Sequence, residues 1–167
     1  IGKKFNNVAM KPSLTLWYDQ LSGTDQSDVT SGDWGTFNTL FDTGHKFYGY
    51  MDLFLNNVNH GTAGLGLTDL AVKASIQPMP GWTIKADWHK FTTEVDPSDS
   101  SINNINSQSG RSVDDDLGTE IDLSIHNKYN ANTKISAGWS RFSADQLFNI
   151  QSGTVANSAD WAYVQFD

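Results

Sequence analysis

Six segments alternate apolar with polar residues at a period of two, tight turns alternate with long polar loops, and aromatic residues gather near the segment ends. Together these features predict an all-β chain folded as an antiparallel transmembrane β-barrel, with short turns at one rim and long loops at the other. Successive side chains of a strand point to opposite faces, so each segment offers one face to lipid and one to water.

The composition fits this reading. The chain has 167 residues, 38% of them hydrophobic and 12% aromatic, and carries 14 glycines. Its mean hydropathy is -0.44. Apolar residues are therefore sparse and often large and flat. No run of about 18 apolar residues is present, which excludes a spanning helix. The net charge of -8 and the scattering of the 11 basic residues argue against nucleic acid as a partner. The absence of cysteine excludes a disulfide framework and thiolate metal sites. Ile1 to Phe5 holds two lysines with no apolar stretch behind them, so the chain reads as a mature protein or a piece of one.

Residues 1–167 are read as a single β-barrel domain with strands at about 13–22, 67–77, 82–93, 119–129, 133–142 and 160–167. After a turn at Pro12, Leu14, Leu16 and Tyr18 alternate with Thr15, Trp17 and Asp19, and Ser22 to Asp33 follows as a polar loop. The clearest alternation sets Leu70, Val72, Ala74 and Ile76 against Asp69, Ala71, Lys73, Ser75 and Gln77. The turn at Pro78 to Gly81 leads into Trp82, Ile84, Ala86 and Trp88 against Thr83, Lys85, Asp87 and His89. If the hairpin keeps like faces together, Lys73 lies opposite Asp87 and Ser75 opposite Lys85.

A polar loop from Thr92 to Asp116 separates this hairpin from Ile121, Leu123, Ile125 and Tyr129, which alternate with Glu120, Asp122, Ser124, His126 and Lys128. A turn at Asn130 to Asn132 leads to Ile135, Ala137 and Trp139, and a loop from Ser143 to Ser158 follows. The last segment sets Ala162, Val164 and Phe166 against Trp161, Tyr163 and Gln165.

The stretch from Thr43 to Leu55 is the densest in aromatics and fits both strand and helix periods. Parity decides between them. The first strand rises from the turn at Pro12 and the strand ending at Pro78 descends, so zero or two crossings lie between them, never one. Residues 43–55 are therefore expected as an extracellular or pore-folded loop, with Thr43 able to cap a short helix. A soluble, secreted β-sandwich that binds carbohydrate is the alternative, since it also alternates and turns.

The ordered series KPSLTLWYDQLSGTD, FDTGHKFYGYMDLF, LTDLAVKAS, GWTIKADWHKF, DDLGTEIDLSIHNKY, KISAGWSRF and ADWAYVQF resembles the C-terminal part of the alginate-export family of bacterial outer-membrane channels. The resemblance implies a porin-type barrel of about 16 to 18 strands in the bacterial outer membrane, of which this chain supplies a part. Six crossings fall short of the smallest barrels, which have eight strands, and the residue Asp167 beyond Phe166 suggests a few further residues. The implied partners are the lipid bilayer, lipopolysaccharide, a polar or carbohydrate solute, and the barrel-assembly machinery during insertion.

Function is then expected from the pore. Asp69, Lys73, Lys85, Asp87, His89, Glu120, Asp122, His126 and Lys128 form a mixed-charge ladder that lines the lumen and sets selectivity, or a solvated wall of paired charges. His45, Lys46, Tyr48, Tyr50 and Asp52 form a constriction touching a passing solute, or anchor the loop to the wall. Trp82, Trp88, Tyr129 and Trp139 fit two interfacial girdles. No cofactor, metal site or catalytic residue is expected. His45, His60, His89 and His126 lack ligand spacing, and Asp114 to Asp116 lacks the Gly and distal Glu of a calcium loop. Glu120 and Asp122, about 7 Å apart on one strand face, are a pair that a charged wall produces by chance.

Overall fold

The computed structural model describes residues 1–39, 47–54, 62–101, 114–148 and 158–167. Seven strands form one antiparallel sheet in chain order. They are β1 (Gly2–Lys4), β2 (Ser13–Leu21), β3 (Leu67–Ile76), β4 (Trp82–Thr92), β5 (Asp116–Lys128), β6 (Lys134–Ala144) and β7 (Ser158–Phe166). β1 is an addition to the six segments read from the sequence. Three residues without an apolar alternation carry no strand signal of their own, and β1 exists because its backbone pairs with Ser13 to Thr15. β2 and β3 pair directly and antiparallel, and among the described residues between them there is no strand.

The register matches the charges. Lys73 faces Asp87 and Ser75 faces Lys85 across β3 and β4. One face of the sheet carries Leu14, Leu16, Leu70, Ile121, Leu123 and Val164, all substantially exposed. A sandwich would bury such a face against a second sheet, and the described strands all belong to one.

The apolar band also slopes. It is centred on Leu16 in β2 and on Val164 in β7, and the pairings Val164–Ala137, Ala137–Ile125, Ile125–Ile84 and Ile84–Ile76 bring Val164 level with Pro12. A slide of four residues across five strand steps, at about 3.3 Å per residue and about 4.8 Å per strand, inclines the band by about 30° to the hydrogen-bond rows. That approaches the tilt of strands in a membrane barrel, about 35–45°.

The buried core lies on the other, polar face, at the loop end. Phe91, Phe142, Leu67 and Leu117 of the strands meet Tyr48, Phe54, Leu65 and Leu147 of the connecting segments. Phe54 packs on Phe91 and Phe142 with ring centroids 4.6 and 5.8 Å apart. The loops therefore fold inward over the wall.

Two loops hold more structure than their composition suggests. Within Ser22 to Asp33, α1 (Gln26–Ser31) is capped by Asp25, which accepts from the amides of Ser27 at 2.7 Å and Asp28 at 2.9 Å. The Asp28 carboxylate accepts in return from the Asp25 amide, and Gly32 closes the helix in the left-handed region. In the segment after Thr92, Pro97–Asp99 forms a 3-10 turn capped by Asp96.

Every neighbouring pair of strands is antiparallel, so β1 and β7 run in the same direction. They cannot close on each other in an all-antiparallel barrel, and closure takes an odd number of further strands between them.

Candidate pore constriction and wall

Residues 47–54 form turns rather than strand or helix, and three wall strands hold them across the polar face. The Tyr48 hydroxyl donates to Asp19 Oδ2 on β2 at 2.8 Å. Lys73 of β3 reaches the Phe47 carbonyl at 3.5 Å, and the Met51 amide donates to Glu120 Oε1 of β5 at 3.0 Å. Burial, then the bond to Asp19, pushes the Tyr48 hydroxyl above its usual pKa, so it remains a donor at neutral pH. Phe47 adds a tilted contact with Trp17, over whose ring the Lys73 ammonium lies at 5.5 Å.

Gly49 makes this clasp possible. Its φ of +81° suits glycine, and a Cβ there would stand 2.5 Å from Glu120 Oε1. Of the constriction residues expected from the sequence, Tyr48 is buried, Tyr50 and Asp52 are half-buried, and His45, Lys46 and the proposed Thr43 cap lie outside the described residues. His60 lies outside them as well.

The charged ladder is on the polar face throughout, but its members differ in access. Asp69 and Glu120 are fully buried beneath the inward loops, and His89 is 1% exposed. His89 Nδ1 is 2.9 and 3.0 Å from the two Asp69 oxygens, an arrangement in which the ring N–H donates to the carboxylate. His89 Nε2 lies 3.9 Å from Asp122 Oδ2. Toward the turns the wall opens into a cavity of about 560 Å³, bordered by Lys73, Lys85, Asp87, Asp122, His126 and Lys134. His126 is held there by Ser136 at 2.9 Å and Ser124 at 3.0 Å. Lys128 is exposed at the turn end of β5.

Trp82, Trp88 and Trp139 share the apolar face with Ile84 and Leu123 by strand parity, and Tyr129 is exposed beside the β5–β6 turn.

Sequence reasoning passed over several residues that build this site. Phe91 and Phe142 sit at polar-face parity near the loop ends of β4 and β6. Large apolar residues out of phase there are the legible signal of a loop packed inside. Alternation places Trp161 and Tyr163 on one face of the last strand but does not join them to the site. They border the same cavity, and Tyr163 stacks on Tyr50 at 5.9 Å and on Trp161 at 4.9 Å. A Cβ at Gly138 would collide with the Tyr163 ring, so the glycine leaves that ring its place against the wall.

No curated protein matches the chain. The profile of one family, described as alginate export, matches residues 1–160. With a single antiparallel sheet, a lipid-suited apolar face and a polar face partly covered by an inward loop, the chain belongs to the alginate export family of outer-membrane transport channels.

Proposed function

We propose that this chain forms part of the wall and the constriction of an outer-membrane barrel of about 16 to 18 strands, and contributes its C-terminal portion. The channel passes polysaccharide or small polar solutes without coupling to an energy source. The reading rests chiefly on residues 47–54, which are fastened across the polar face by Asp19, Lys73 and Glu120 beside an open, mixed-charge cavity. A loop bonded to three strands narrows a lumen at a fixed place, and the charges below it select among solutes. In this reading Asp87, Lys85, Lys73, Asp122 and His126 meet the solute. Asp69, His89 and Glu120 support the loop, Lys128 guards the periplasmic rim, and Trp82, Trp88, Tyr129 and Trp139 meet the lipid interfaces and lipopolysaccharide.

The test is reconstitution of the whole barrel in planar lipid bilayers. Stepwise conductance increments with a linear current–voltage relation are expected. A protein that stays monomeric and folded in detergent-free buffer and gives no conductance steps would overturn the channel reading.

A further inference from the structure

We propose that the groove between the β1–β2 and β3–β4 turns seats the headgroup of an anionic phospholipid, with Lys11 and Lys128 as partners of its phosphate. The inference goes beyond the channel reading but rests on its barrel, because it needs the apolar face of the sheet to meet lipid.

The first observation is how charge is sorted along the strands. The chain carries a net charge of -8, yet its turn end, residues 1–13, 77–83, 127–136 and 165–167, holds Lys3, Lys4, Lys11, Lys128 and Lys134 against Asp167 alone. Asp167 lies 3.5 Å from Lys134. Among the described residues, Lys3, Lys4, Lys11 and Lys128 have no carboxylate within ion-pair distance. A rim of cations in an acidic chain attracts an anion from outside it.

The second observation is the groove itself, of about 580 Å³, bordered by Val8, Met10, Lys11, Met79, Trp82 and Lys128. Val8, Met10 and Met79 are each more than half exposed. The turn that carries two of them is held in place. Phe5 donates to the Pro12 carbonyl at 2.8 Å, Lys11 to Val8 at 3.0 Å, and the Gln77 amide ties the turn to the next hairpin through the Met10 carbonyl at 2.6 Å. Met10 and Lys11 both stand in the left-handed region, at φ +61° and +42°, which is costly for residues with a Cβ. Backbone strain of this kind persists where surrounding bonds fix it, and here it fixes one apolar and one cationic residue at the groove.

The third observation is continuity with the apolar face. Trp82 shares that face with Ile84 by strand parity and also borders the groove. Lys3 pairs with Leu14 across β1 and β2, so it too is on the apolar face, and its ammonium lies 5.1 Å from the Phe5 ring centroid. A cation and an indole on a face that otherwise suits acyl chains belong at headgroup depth, where the stem or ring stays in the apolar layer and the polar end reaches water.

An anionic phospholipid matches all three. Its phosphate meets the lysines, and its glycerol and first methylenes cover Val8, Met10 and Met79. A soluble anion would satisfy the lysines and leave those side chains in water, and a zwitterionic lipid brings its own cation beside the phosphate.

The experiment is native mass spectrometry of the whole barrel in mild detergent with equal amounts of phosphatidylglycerol and phosphatidylcholine of different chain mass, repeated with the chains exchanged. Wild type should retain phosphatidylglycerol in preference. Lys11→Gln and Lys128→Gln should each lower that preference about fivefold, Lys11→Arg and Lys128→Arg should keep it, and Arg141→Gln at the opposite rim should leave it unchanged. Equal retention of the two lipids, a preference that survives Lys11→Gln combined with Lys128→Gln, or one that Arg141→Gln lowers equally overturns the seat. Displacement of the lipid by glycerol phosphate at equal concentration also overturns it, because the groove would then recognise the soluble anion. Normal conductance without lipid preference leaves the channel reading intact, whereas a protein that stays folded and monomeric without detergent and gives no conductance overturns both.

Discussion

Substituting Gly49 by alanine should release the constriction while leaving the wall in place. Alanine at φ +81° pays about 1–2 kcal/mol for the left-handed conformation. Its Cβ would also occupy the space of the Glu120 carboxyl, 2.5 Å from Oε1, so that carboxyl must swing away from the Met51 amide. Leaving that amide without its acceptor costs about 1–3 kcal/mol more. Together these weaken the clasp by about 3 kcal/mol, a factor of more than one hundred in its opening equilibrium. Amide hydrogen exchange on the assembled barrel reads this directly. Protection at Met51 should fall by about that factor, whereas Ala86, in the middle of β4 and bonded on both sides, should keep its rate. Channel conductance should rise in parallel. Unchanged Met51 exchange and unchanged conductance in Gly49→Ala would refute the idea that Glu120 holds the loop.

Three further outcomes follow from the fold. Leu123→Arg places a cation on the exposed apolar face, and denaturant unfolding from lipid vesicles should show a loss of about 2–4 kcal/mol. A loss within about 0.5 kcal/mol would mean that this face meets water. Phe91→Ala empties the centre of the Phe54–Phe91–Phe142 cluster and should cost about 3–5 kcal/mol, seen as protease sensitivity of the loops before the strands melt. Simultaneous melting of both would show that the cluster supports the wall instead. The Ser27 hydroxyl, then the Asp28 amide, holds the Asp25 carboxyl below its usual pKa. A depressed carboxyl stabilises the folded state above its unfolded pKa, and the gain disappears as pH falls through the folded value. Protection of the Ser27 and Asp28 amides, corrected for intrinsic rates, should thus hold from about pH 7 to 5 and fade only below the ordinary carboxylate range. Fading already at pH 6 would contradict the cap.

Much of the wall was legible because a strand half in lipid and half in water must alternate. Leu70 to Ile76 could point only one way, and the Lys73–Asp87 pair selected the register that the sheet adopts. Parity argues only against a single crossing in residues 43–55, of which the described residues 47–54 form turns. What alternation cannot tell is which part of the polar face a loop covers. Asp69 and Asp87 look alike in sequence, yet the first is sealed beneath the inward loops and the second borders the cavity. α1 was hidden for a different reason. Six residues of Ser, Thr, Gln, Asp and Val have no periodic apolar stripe, and only Asp25, Asp28 and Gly32 mark its ends. The stacking of Tyr50 on Tyr163 is hidden because the two are more than one hundred positions apart, and nothing local joins them.

That β1 and β7 point the same way bears on how such a pore can vary in size. Any all-antiparallel ring containing these seven strands has an even total, because the remainder must be odd. Adding or removing one strand would reverse a neighbour and break the ring, whereas adding or removing a hairpin preserves every pairing. Barrel diameter grows with strand number, so bore in this architecture is quantised in hairpins. Redesign of the channel's width should therefore graft or delete strands two at a time, and the short turns at Pro78 and Asn130 mark two hairpins that could be exchanged whole.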